Sequence, residues 1–208
     1  MVKLAAQLVP LKVNAEKEGV DLAKTYKVQG YPTILFLNAE GKVRGEIGGY
    51  LPPEEFSIEM QKFIELNAMY PKLLEESKSA NASGETFAKL AWTYGSWKET
   101  KEAEASLAKA ESKKYKGEYL AKACNAIGDI YQMSEEIDKA IPLFKKADSS
   151  AVKAEDRSYA KISLLFCYLS KQDVANAKRM CNEIIKMKDA VKSHVETAKE
   201  ILKELGGG

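Results

Sequence analysis

The feature that most constrains how this chain can fold is a repeat that begins at Gly84 and advances in fixed steps of 37 residues. Phe87, Leu90, Ala91, Tyr94, Ala103, Leu107 and Ala110 are followed by Cys124, Ile127, Gly128, Tyr131, Ala140, Phe144 and Ala147. Lys161, Leu164, Leu165, Tyr168, Ala177, Cys181 and Ile184 come next, and Ala198, Ile201, Leu202 and Leu205 open a fourth unit that stops halfway. Apolar residues within each unit fall at helical spacing, so each unit reads as a helix pair. A constant period means a stacked array, in which every pair buries its apolar face against its neighbours.

The spacing of Ile127-Gly128, Tyr131, Ala140, Phe144 and Ala147 resembles the tetratricopeptide repeat, with a large-small pair where the two helices cross and alanine and an aromatic on the partner helix. Ala91 and Gly128 would let the helices approach closely, whereas Leu165 at the third equivalent position departs from the pattern and predicts looser packing. The period exceeds the usual ~34 residues, and the polar stretches 113–117 and 149–155 are the expected places for the extra length. Pro142 falls inside a predicted helix, where it removes a backbone bond. A final helix over 191–205 would cap the array. The resemblance implies a concave groove lined by the first helices, and helical spacing places Trp92, Lys122, Asn125, Asp129, Tyr159 and Phe166 on it, with Ala88, Gln132, Ile162 and Leu169 beside them. Such a surface suits an extended or helical peptide.

Residues 1–66 are different, mixing periods of two and 3.6. Residues 9–13 alternate as a half-buried strand, and 19–27 read as a short helix with Val20, Leu22, Ala23 and Tyr26 inward. Gly30-Tyr31-Pro32 signals a turn, 33–37 form an apolar run suited to a strand covered on both faces, and Asn38-Ala-Glu-Gly41 supplies turn chemistry before a strand over 43–47. Pro52-Pro53-Glu54-Glu55 opens a helix, because proline fits the first turn and acidic side chains complement its exposed N–H groups. Residues 67–83 read as a connecting helix from Pro71 to about Lys78 and a Ser, Asn and Gly linker.

This order of elements, with Val28-Gln-Gly-Tyr-Pro-Thr33 before the second strand, resembles the second part of a thioredoxin over residues 1–66. The resemblance implies a cis Tyr31-Pro32 bond and a substrate-binding surface at Tyr31, Pro32, Gly48 and Gly49. It also exposes what is missing. Thioredoxin chemistry needs a CxxC turn at a helix N-terminus, where one thiol is activated, and no CxxC occurs here. The family's first strands and cysteine turn would lie before Met1. Strands at 9–14 and 33–37 would then pair directly, gain a strand from a partner chain, or leave exposed edges open to self-association. The fold class expected is therefore a partial thioredoxin-like α/β sheet, followed by an all-α solenoid of about three helix pairs and a cap.

Composition narrows the function classes. Thirty-two Lys and Arg against 30 Asp and Glu give a net charge of +2, too little to favour nucleic acid or an anionic membrane as partner. The longest apolar runs, such as 33–37 and 162–169, fall short of the ~18 residues of a membrane span. The N-terminal residues lack an h-region and cleavage site, which favours a cytoplasmic chain. Cys124, Cys167 and Cys181 match neither a disulfide framework nor a metal pattern and read as buried thiols. His194, the single histidine, reads as a solvated residue at the start of a surface helix, and no phosphate loop or catalytic carboxylate pair is seen. The expectation is a protein- or peptide-binding module with no catalytic residue, metal or cofactor of its own. The alternative is part of a thiol-disulfide oxidoreductase whose CxxC lies upstream or in a partner, serving redox homeostasis.

Overall fold

Thr33–Leu37 forms strand β1 and Val43–Gly48 forms β2, paired antiparallel with Thr33 opposite Gly48 and Ile34 opposite Ile47. Asn38 closes the hairpin, its Oδ1 accepting from the Lys42 N–H at 2.7 Å, and Gly41 takes the left-handed φ of 75° that the turn needs. In this computed structural model, which describes residues 2–206, the chain divides into two compact units, one ending at Pro71 and the other beginning at Lys72. The first also holds helices α1 (Val2–Ala5) and α2 (Val20–Thr25), and helix α3 (Pro53–Ser77) starts in it. Its core forms where α3 meets the hairpin. The Phe63 ring lies 4.5 Å from that of Phe36 and fills the space a side chain at Gly45 would need.

Three expectations for this half require correction. Residues 9–13 form no strand, and Val9 and Leu11 are 97% and 79% exposed. Alternation gives a segment the capacity to pair, but a strand exists only with a neighbour to bond, and here none is present among the described residues. Leu22 faces solvent rather than inward, on a helix one and a half turns long. No new helix begins at Pro71 either. α3 runs through it, because its buried stripe of Met60, Phe63, Leu66 and Leu73 continues past the proline.

The second unit is the array: α4 (Gly84–Ser96) with α5 (Thr100–Ser112), α6 (Glu118–Met133) with α7 (Ile137–Ser150), α8 (Ala154–Ser170) with α9 (Val174–Lys186), and the terminal α10 (Lys192–Glu204). Ile127, Phe144, Leu165 and Ile184 are fully buried, each contributing about 1.5–3 kcal/mol by leaving water. In every pair the turn from the first helix to the second is built in the same way. Lys98, Glu135 and Gln172, again 37 apart, take left-handed φ values of 60°, 60° and 57°, and the next residue's N–H returns to the Tyr94, Tyr131 or Tyr168 carbonyl. At the other end of the array the last turn of α3 covers α4: Leu73 is buried, and Glu76 accepts from the Thr86 hydroxyl at 3.2 Å. The stretch 149–155 is mostly helical, since α7 extends to Ser150 and α8 starts at Ala154, so helix length absorbs the extra residues expected there. Pro142 is accommodated inside α7 with its ring exposed.

Candidate functional site

The first helices of successive pairs stand side by side, α4 against α6, α6 against α8 and α8 against α10, which makes one continuous surface of them. Trp92, Asp129 and Phe166 occupy equivalent places one step apart, as do Lys122 and Tyr159. The structure joins several of these residues. Tyr159 donates its hydroxyl proton to Asp129 Oδ2 at 3.0 Å, bridging α8 to α6. Lys122 Nζ sits 4.8 Å above the Trp92 ring and 5.3 Å from the ring of Tyr119, which itself lies 5.7 Å from Trp92. These cation-π contacts cover Trp92, which is only 8% exposed. Phe166 is 42% exposed and Tyr159 38%, seven residues apart on one face of α8. Ala88 and Ile162, expected beside them, are buried between helices.

A polar cluster lies next to this apolar strip. Asn125, 6% exposed, donates its Nδ2–H to the Asp156 carbonyl at 3.1 Å and so fixes the first turn of α8 on α6. Glu118 binds Lys122 at 2.7 Å and Lys153 at 2.9 Å, and these two ammonium groups hold its carboxyl below the usual range. Burial pushes the Asp156 carboxyl in the opposite direction, opposed by the Lys122 charge. The surface therefore presents apolar rings beside an ion-paired cluster of Glu118, Lys122 and Lys153.

The first unit carries the second candidate surface. The Tyr31-Pro32 bond is cis, and the Pro32 carbonyl accepts from the Gly49 N–H at 2.7 Å, which ties the turn before β1 to the end of β2. Thr33 Oγ1 donates back to the Gly30 carbonyl at 2.6 Å. Gly49 has a φ of 80°, a conformation that costs other residues energy. Tyr31, Gly48 and Gly49 line an open depression of about 500 Å³ together with Lys27, Gln29 and Glu46; Pro32 acts through its carbonyl rather than by lining it. A side chain at Gly48 would meet nothing within 4 Å, so the surface there is open.

Residues 3–64 match the family model of a thioredoxin-like domain, and residues 121–151 match that of a tetratricopeptide repeat. The chain thus joins a partial thioredoxin-like fold to a tetratricopeptide-type solenoid. Neither a curated protein nor a solved structure matches it. No helix of the described residues is long and apolar enough to cross a membrane.

Sequence reasoning missed some members of both surfaces. Tyr119 and Asp156 are one 37-residue step apart and could have been found from the period. Glu46 comes to the depression on β2, paired with β1, and Lys27 comes from the turn after α2, so the two meet only in the folded unit. The reading of His194 as merely solvated is corrected: its Nδ1 lies 2.9 Å from the fully buried Ser158 hydroxyl, because α10 packs on α8.

Proposed function

We propose that this chain is a protein- or peptide-binding module whose helical array, residues 84–208, holds an extended or helical segment along its first helices. The observation that carries this reading is the Tyr159–Asp129 bridge, which ties the exposed aromatic face of α8, Tyr159 and Phe166, to α6 of the neighbouring pair. Phe166 and Tyr159 supply apolar contact there, Lys122 and Asn125 supply polar contact, and Trp92 stiffens the floor. Residues 1–66 add a second surface at Tyr31, Pro32, Gly48 and Gly49, with 67–83 connecting the two. Open strand edges support self-association of the same chain.

A random peptide display library panned on the full chain, then counter-screened on Phe166→Glu, tests the reading. Enriched sequences that lose roughly tenfold or more in affinity for the variant, about 1.4 kcal/mol, would support it. Absence of enrichment, or binding indifferent to the substitution, would remove it.

The match of residues 3–64 to a thioredoxin-like domain, with the turn before β1 bonded to Gly49, favours a second reading, a thiol-disulfide oxidoreductase whose CxxC lies upstream or in a partner. Reduction of a protein disulfide by the chain isolated from its source cells, faster than by free thiols, would establish it.

A further inference from the structure

Apolar surface is distributed unevenly in this molecule. Among the described residues, nine of the fifteen large apolar side chains left exposed lie before residue 72, in the smaller unit. Two segments account for much of the imbalance. One is β1, hydrogen-bonded on one side by β2 alone, with Ile34 37% and Leu37 44% exposed. The other is the segment 9–13, which has the apolar alternation of a strand yet bonds to no strand, with Val9 and Leu11 nearly bare. Both are five residues long.

The two outer edges of the hairpin are not equivalent. β2 carries Arg44 and Glu46, and charges on an edge discourage pairing, whereas β1 is Thr-Ile-Leu-Phe-Leu with no charge at all. A two-stranded sheet is marginal by itself and gains from a third strand. Residues 9–13 suit that position. Val9, Leu11 and Val13 share one face by alternation, and Pro10, which lacks an N–H, is tolerated in a strand whose outer edge faces water.

We propose that two copies of this chain exchange strands, residues 9–13 of each lying along the open edge of β1 in the other. Each hairpin becomes a three-stranded sheet. The exchange is reciprocal, so the contact closes on itself about a two-fold axis and stops at a dimer. Donor and acceptor are present in equal number on one polypeptide, which is why a second copy, rather than a foreign strand, is the occupant.

Light scattering of the full chain over a concentration series tests this. A species of twice the 23.0 kDa chain mass that dissociates on dilution is expected. Leu11→Asp and Val9→Asp should each be monomeric at every concentration, with unchanged circular dichroism and melting of the array, because neither side chain belongs to the core of the single chain. A wild-type protein that stays monomeric throughout overturns the proposal. So does a dimer that survives both substitutions, since association would then use another surface.

Discussion

Gly128 on α6 faces the Phe144 ring of α7 so closely that a Cβ built on the glycine would lie 2.6 Å from Cε1. Both residues are fully enclosed at the crossing of the second helix pair. Alanine normally favours a helix interior over glycine by about 1 kcal/mol, but here the added methyl has no room. Gly128→Ala should therefore destabilise the array by ~1–3 kcal/mol, read as a lower urea midpoint at constant slope. Phe144→Leu in the same background should recover part of that loss. A variant as stable as the parent would show that the crossing is less tightly packed than the structure has it.

Glu135 invites the opposite change. Its φ of 60° is costly for a residue with a Cβ, and it occupies the left-handed position that ends α6, where glycine is preferred. Glu135→Gly should raise stability by about 0.5–1 kcal/mol, the conformational gain exceeding the entropy that glycine adds to the unfolded chain. Lys98 and Gln172, in the same conformation one step away on either side, should respond similarly in thermal melts.

The array was legible because its two signals, helical spacing and a constant step, are both local to the sequence. Every landmark from Phe87 to Ile184 that is not a tyrosine or Lys161 is buried. The shared surface of the first helices was legible in outline, since helical spacing put Asp129 and Tyr159 on it, but the covering of Trp92 by Lys122 depends on rotamers that no pattern records. Residues 9–13 show the limit more sharply. Their alternation states that a strand could form, while whether it does depends on what lies alongside. Pro71 misled for a related reason: a local breaker was outweighed by the apolar stripe on either side of it.

The three cysteines yield a chemical prediction. Cys124, Cys167 and Cys181 are fully buried, and burial pushes the Cys124 thiol up to about 12 and that of Cys167 up to about 11. Attack requires the thiolate and access together. Modification by a thiol reagent at pH 8 should be at least ~100-fold slower in the native protein than in urea, limited by opening of the array. Labelling of any one cysteine at the rate of a free thiol would identify a reactive site that the structure does not contain.

His194 sets how the array responds to acid. Ser158 Oγ accepts the Val191 N–H at 3.2 Å and lies 2.9 Å from His194 Nδ1. With one lone-pair direction engaged by Val191, the hydroxyl serves best by giving its proton to a neutral imidazole, which fixes the start of α10 on α8. Burial lowers the His194 pKa, only partly offset by the Glu155 charge. The unfolded chain, with an ordinary histidine pKa of about 6.5, therefore binds the proton before the folded one does. The stabilisation is present above that value and is lost as pH falls through it towards the lowered folded value. His194→Gln keeps a polar group in place but cannot titrate. Melting measured at steps from pH 7.5 to 5 should fall more steeply for the parent than for the variant, the shifted Asp156 being common to both. An identical decline in the two proteins would place the acid sensitivity elsewhere. A decline steeper in the variant would mean that His194 is stabilised in its charged form, and the direction assigned to its hydrogen bond with Ser158 would have to be reversed.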